Sequence, residues 1–257
     1  MDSLKHFEGG RRIREGMRPQ PPLVSIVTVV FRDRGELEHI LRNVFTFDTS
    51  QFELIVIDGG SDDGTVELLQ QWDGKIDYWL SEPDSGLYHA MNKGRAVAKG
   101  KFLFHLNAGD RLLFLPNKEL ESADIDEAEV VTFPVSIDGS RQFSPAIGRL
   151  LRIRNTLHHQ GTFYRRECFP AYDLQYRVYA DFDLNQRMAK RGAKIGISER
   201  IVASHSTAGI SNRASDAEPE HYRIIRSNFG WPYAALSWAY RKWDGLMVRL
   251  GRPVQKV

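Results

Sequence analysis

Leu23-Val24-Ser25-Ile26-Val27-Thr28-Val29-Val30 decides how this chain folds. The run is short, nearly all aliphatic and rich in β-branched residues, which is the pattern of a strand buried on both faces. Working outward, Leu37, Ile40, Leu41 and Val44 follow at helical spacing. The cycle then repeats: a strand over 52–57, a helix over 65–71, a strand over 76–80, a helix over 87–98 closed by Gly100, and a strand over 101–106. Strands alternating with helices predict an α/β fold, with a mostly parallel central sheet and helices on both faces. Ligands of such sheets bind in the crevice at the carboxyl ends of the strands.

Farther out the pattern loosens. Strands are expected over 129–137 and 141–143, around the turn Asp138-Gly139-Ser140, and over 161–164. An amphipathic helix is expected over 181–191, closed by Gly192, then short strands over 195–197 and 201–203. Residues 214–257 read as a helical extension interrupted at Gly230-Trp231-Pro232. Residues 1–22 are basic and end in Pro19-Gln20-Pro21-Pro22, so a flexible arm is expected there. The expected domain is residues 23–213, with a ligand-binding half over 23–112 and a second half over 113–213.

Composition narrows the function classes. Across 257 residues, 42% are hydrophobic and 26% charged, too apolar and too balanced for disorder. A net charge of +2 does not argue for nucleic acid as a partner, and the one cysteine, Cys168, excludes a disulfide framework and a cysteine-built zinc site. No apolar run reaches the roughly 18 residues of a spanning helix. Arg11, Arg12 and Arg14 have no apolar core after them, so no secretory signal is expected and a cytoplasmic location is.

The strand ends carry the chemistry. Asp58-Gly59-Gly60-Ser61-Asp62-Asp63-Gly64-Thr65 concentrates carboxylates that can accept from ribose or base, and glycines that let backbone approach a ligand; a solvated turn with Asp62 or Asp63 capping the next helix explains it equally well. Asn107-Ala108-Gly109-Asp110 puts an amide and a carboxylate at the exit of a buried strand, donors suited to a hard divalent cation, though an ordinary turn reads the same way. Between them, Ser81-Glu82-Pro83-Asp84-Ser85-Gly86-Leu87-Tyr88-His89-Ala90-Met91-Asn92-Lys93-Gly94 breaks a strand and opens a helix whose N-terminus suits anions. Ala180-Asp181-Phe182-Asp183-Leu184 opens a further helix; its acids fit plain capping or a general base kept ionised by the helix terminus. His158-His159-Gln160 reads best as buried hydrogen-bonding residues.

Together these segments, with His159-Gln160-Gly161-Thr162-Phe163-Tyr164-Arg165-Arg166 and Tyr176-Arg177-Val178-Tyr179 before Ala180, resemble the family 2 inverting glycosyltransferases of the GT-A fold, in particular the colanic-acid and exopolysaccharide type. The resemblance spans residues 22 to 213. It implies transfer of a sugar from a nucleotide-diphosphate donor to a hydroxyl of a glycan or lipid-linked acceptor, with inversion, in surface polysaccharide or glycolipid synthesis. It implies Asp181 as catalytic base and Asp110 as ligand to Mg²⁺ or Mn²⁺. Thr28, Val30, Asp58, Gly60, Asp84, Asn92, Asn107, Asp110 and Arg213 are the implied contacts to the nucleotide sugar, with Arg213 closing the loop that starts at Ser204. Two positions depart from the pattern. Asn107-Ala108-Gly109-Asp110 stands where the family has Asp-any-Asp, and Val30-Phe31-Arg32-Asp33 where many members have Tyr-Asn.

That eroded motif motivates the alternative of an inactive nucleotide-sugar-binding protein. A dinucleotide oxidoreductase and a P-loop nucleotidase are disfavoured, because neither glycine signature is present. Leu236, Tyr240, Trp243, Met247 and Leu250 form an apolar stripe near Arg241, Lys242, Arg249 and Arg252, expected either to rest on an anionic inner-leaflet surface or to pack on protein.

Overall fold

The structure is a computed structural model that describes residues 6–122, 127–205 and 217–250. At its centre lies β2 (Val24–Val30), with every residue buried. It is flanked in parallel by β3 (Phe52–Asp58) and β5 (Phe102–His105), and β4 (Tyr78–Ser81) runs parallel to β3. Val24, Ile26 and Val30 of β2 pack under α2 (Arg34–Val44) and α3 (Thr65–Gln71). Val27 and Val29 pack on the other face, under α4 (Leu87–Val97) and α6 (Ala180–Lys190). Both faces of the sheet are therefore covered, as the unbroken apolar run requires. Gly94 lets α4 lie flat on β2: a Cβ there would come within 2.4 Å of Val27 Cγ1.

Beyond β5 the sheet turns antiparallel through β10 (Thr162–Arg165), then continues with β7 (Val130–Thr132) and β11 (Ile195–Ile197). With β1 (Phe7–Gly9) at the outer edge, the full order is β1-β4-β3-β2-β5-β10-β7-β11. A second sheet, β6-β12-β8-β9, comprises β6 (Arg111–Leu112), β12 (Ala203–His205), β8 (Val135–Ile137) and β9 (Arg141–Phe143). The strand expected over 129–137 is thus two strands in two sheets. Pro134 stands at the break; it has no N–H to donate to a ladder, and Phe133 N turns aside to Gly161 O at 2.7 Å.

The N-terminal segment differs from the expected flexible arm. Phe7–Gly9 forms β1, antiparallel to β4, and Arg11–Glu15 forms α1. Asp77 and Glu53 are buried carboxylates at the amino end of the sheet, and buried charge requires partners. Arg11 and Arg18 reach Asp77 at 2.7 and 2.8 Å, and Arg12 pairs with Glu53.

After a short helix α5 (Asn117–Glu121), the remaining helices are α7 (Ala217–Phe229) and α8 (Trp231–Arg249). Ile224 and Ile225 of α7 and Ala234 of α8 bury beside α6. The expected apolar stripe on α8 splits: Tyr240 turns inward and accepts from Arg154 Nη1 at 2.8 Å, while Leu236, Trp243 and Leu250 stay exposed.

Candidate active site

The carboxyl ends of β2, β3, β4 and β5 meet at one edge. At this edge, Gly59 N donates to Val30 O at 3.0 Å, which stitches the β3 exit to the β2 exit. Gly60 adopts φ +84°, and a Cβ there would sit 3.1 Å from Pro83 N, so only glycine lets this loop lie on the next. Asp84 Oδ1 accepts from Gly86 N at 2.7 Å, and its Oδ2 is 2.8 Å from where a Cβ on Gly59 would be. The ring of Phe31, 57% exposed, stands against the same glycine.

Several expected donor contacts are turned inward. Asp58 is fully buried; its carboxylate accepts from Ser61 N at 2.9 Å, from Ser61 Oγ and from Ser81 Oγ at 2.6 Å. It shapes the loop from beneath. Val30 buries its side chain and offers only backbone, and Thr28 is buried two residues short of the strand end. Asn92 forms a two-way bond with the backbone of Tyr172, Nδ2 to O and Oδ1 from N, both 2.9 Å. Asp63 accepts from Thr65 N and Oγ1 at the start of α3 and also from Arg34 N, while the N-cap position itself is Gly64.

Asp110 and Asp181 are brought together. Asp110 is buried, and its oxygens accept from Asn107 N at 2.9 Å, from Gln160 Nε2 at 3.1 Å and from His205 Nδ1 at 2.8 Å. Register explains the histidine: β12 pairs with β6, Ala203 opposite Leu112 and Ser204 opposite Arg111, which carries His205 to Asp110. Asn107 Nδ2 lies 3.4 Å from His159 Nε2, and the other ring nitrogen, Nδ1, lies 3.5 Å from Asp181 Oδ2. Asp181 also accepts from Tyr88 Oη at 3.0 Å and from Asn155 Nδ2 at 3.1 Å. Burial pushes its carboxyl up, but the His159 and Tyr88 hydrogen bonds and the nearby histidine charge outweigh this, so the group titrates below the ordinary aspartate value. Asp183 points elsewhere, to Arg187 Nε at 2.7 Å and Asn228 Nδ2 at 3.0 Å, so Asp181 alone of the two turns toward His159 and Tyr88.

The donor set around Asp110 fits a hard cation in a limited way. Asn107 Oδ1 and Gln160 Oε1 are buried without a protein partner among the described residues, leaving two amide oxygens beside one carboxylate. Among the described residues no group of three His, Cys, Asp or Glu forms a cage. A cation here would complete its shell from the diphosphate and water. Arg213 lies outside the described residues.

Tyr88, Asn155 and His205 also contact Asp110 or Asp181 without having been expected there, and His159, expected only as a buried hydrogen-bonding residue, joins them. Tyr88 and His159 fall inside quoted motifs; the pairing of β12 with β6, which recruits His205, has no local signal.

A match to "Glycosyl transferase family 2" covers residues 25–171. A "PGL/p-HBAD biosynthesis glycosyltransferase" of Mycobacterium tuberculosis is 30% identical over 213 residues, spanning 77% of this chain and 82% of its own. Two solved structures share the fold. S. aureus TarS in complex with UDP-GlcNAc aligns with TM-score 0.58 at 12% identity, over 83% of this chain and 66% of its own. The mannosyltransferase PcManGT of Pyrobaculum calidifontis, in complex with GDP-Man and Mn²⁺, aligns with TM-score 0.56 at 15% identity, over 91% and 80%. The loops quoted above lie in the matched span, at the sheet edge where this fold takes its ligands, and the chain belongs to glycosyl transferase family 2.

Proposed function

We propose that the chain is an inverting glycosyltransferase that moves a sugar from a nucleotide-diphosphate donor to an acceptor hydroxyl during glycolipid or surface polysaccharide synthesis. The observation that carries this reading is the run of contacts from Asp110 through the backbone and then the side chain of Asn107 and on through His159 to Asp181, which links the exit of β5 to a buried carboxylate held in its charged form. Asp181 takes the acceptor proton as that oxygen attacks the anomeric carbon from the face opposite the diphosphate, and inversion follows from that direction of attack. A positioned base contributes on the order of 100- to 10,000-fold in rate. Asp110, with the Asn107 and Gln160 amide oxygens, would hold a divalent cation, which would supply positive charge against the departing diphosphate. The nucleotide sugars held by TarS and PcManGT, and the Mn²⁺ of the latter, support this reading, as does the glycolipid role in the name of the mycobacterial relative.

The test is release of nucleoside diphosphate from a panel of UDP-, GDP- and dTDP-hexoses, with Mn²⁺ or Mg²⁺. Turnover lost at least a hundredfold in Asp181→Asn, with nucleotide affinity retained, is the expected result. Binding without turnover in the wild type would instead establish the inactive binder.

The acceptor side includes α8. Trp231, Leu236, Trp238, Trp243, Leu246 and Leu250 are exposed on or just past this helix, together with Arg241, Lys242 and Arg249. No helix among the described residues is long and apolar enough to cross a membrane. An aromatic and apolar face edged by cations suits an anionic bilayer surface. Wild type should float with phosphatidylglycerol-rich vesicles, and Trp231→Ser/Trp238→Ser/Trp243→Ser should not; a wild type that stays in solution ends the membrane reading.

A further inference from the structure

Helix α6 carries Asp181 in its first turn, yet it has no side-chain cap of its own. The segment leading into it is held instead by a carboxylate from α7. Glu220 is buried and accepts three consecutive backbone N–H groups: Arg177 N at 2.8 Å, Val178 N at 2.8 Å and Tyr179 N at 2.6 Å. A carboxylate bound this way is fixed in position and direction, and its charge lies favourably toward the positive end of α6. The same segment reaches the cleft. Val178 O accepts from Tyr88 Oη at 2.8 Å, and that hydroxyl lies 3.0 Å from Asp181 Oδ1. Glu220, the 177–179 backbone, Tyr88 and Asp181 therefore form one continuous set of contacts from the C-terminal helices to the proposed base.

We propose that Glu220 is a positioning residue for Asp181, so that α7 is part of the catalytic machinery. The inference rests on the reading of Asp181 as base. Among the described residues Glu220 bonds to the 177–179 backbone and not to the segments around Asp58 and Asp84, which are built by β2, β3, β4 and the start of α4. Its loss should therefore be felt in the transfer step and not in donor affinity.

The test compares Glu220→Gln, Glu220→Ala and Asp181→Asn in the full chain, using whichever nucleotide hexose of the panel the wild type turns over. In Glu220→Gln one acceptor oxygen becomes an amide that faces backbone donors, so the 177–179 segment must shift. A misplacement of about 1 Å costs on the order of 100-fold, so kcat should fall roughly 10- to 100-fold with donor KM within about twofold. Glu220→Ala should fall at least as far. Asp77→Asn, at the opposite end of the sheet, serves as the purely destabilising comparison; it should lower Tm and leave kcat at 25 °C unchanged. Full kcat in both folded Glu220 variants, with Asp181→Asn inactive, overturns the positioning role and leaves the base assignment standing. A rise in donor KM matching the loss in kcat, or an equal kcat loss in Asp77→Asn, reduces Glu220 to a structural residue. Activity retained in Asp181→Asn removes the base and this inference with it.

Discussion

Phe31 stands where the donor's base must come to rest if the loops after β2 and β3 hold the nucleoside. Its ring is exposed, one edge lies against Gly59, where there is no room for a side chain, and the Arg32 guanidinium lies 5.2 Å from its centroid. Stacking of a base on an aromatic ring contributes about 1–3 kcal/mol, so Phe31→Ala should raise donor KM roughly tenfold with kcat little changed. Phe31→Trp should keep it near wild type. A KM within twofold for the alanine variant would place the base elsewhere. For Asp181 the direction of the pKa shift sets the pH dependence. Because its carboxyl titrates below the usual range, it is ionised throughout about pH 5 to 8, and no acid limb in kcat should arise from it there. Tyr88→Phe removes a donor to the charged form, so the carboxyl should titrate higher and the acid limb should move up in pH. At this scale the sequence was partly legible. Asp110 and Asp181 stand in motifs that a turn and a helix cap explain equally well; the family resemblance pointed to both, and the structure links them through Asn107 and His159. Asp58 and Asn92 carry the right names in the right motifs, yet their polar atoms are satisfied by Ser61, Ser81 and Tyr172, which no spacing reveals.

At the scale of elements, periodicity served well where it was long and poorly where it was short. The strand read over 23–30 is found at Val24–Val30, the helix read from Leu37, Ile40, Leu41 and Val44 at Arg34–Val44, and the helix over 65–71 as read, because seven or more residues of pattern outweigh local noise. Three-residue strands such as β7, β8 and β12 carry no such signal; tertiary pairing defines them. The docking of α7 is a further case. His221 stacks on Phe182 of α6 at 5.0 Å, and its Nε2 lies 3.2 Å from Ile153 O and 3.1 Å from Ser237 Oγ of α8. Burial, and then the Arg241 charge, hold this imidazole down at about 4, so it is neutral in the folded protein at neutral pH. Between the ordinary histidine value near 6.5 and about 4, the unfolded chain takes up a proton that the folded one refuses. Stability from this group is therefore complete above about pH 6.5 and falls as pH drops, by up to about 1.4 kcal/mol per pH unit. His105 and His158, held at about 3 chiefly by burial, add slope of the same sign. Melting curves at pH 7, 6 and 5 should show Tm falling through this window, and His221→Phe should flatten part of the fall. An unchanged slope in that variant would show that His221 does not report the docking of α7.

Over the whole molecule, the sheet has two chemically separate ends. The parallel, doubly covered core was legible from strand and helix alternation alone, because its strands are local runs. The N-terminal segment was not: its arginines look solvent-bound until Asp77 and Glu53, far along the chain, are seen to be buried beneath them. Deleting residues 1–18 should strip those carboxylates of their cations. Losing one partner of a buried pair costs about 3–5 kcal/mol. At about 2–4 °C per kcal/mol for a chain of this size, Tm should drop on the order of 10 °C. A drop of less than 2 °C would restore the picture of a loose arm. Because this clamp grips the strands where they begin, and the buried carboxylates Asp110 and Asp181 gather where they end, endurance and turnover are governed by different parts of the molecule. An engineer seeking a hardier catalyst can rework the first twenty residues and their acidic footing, and leave the machinery at the far rim as evolution left it.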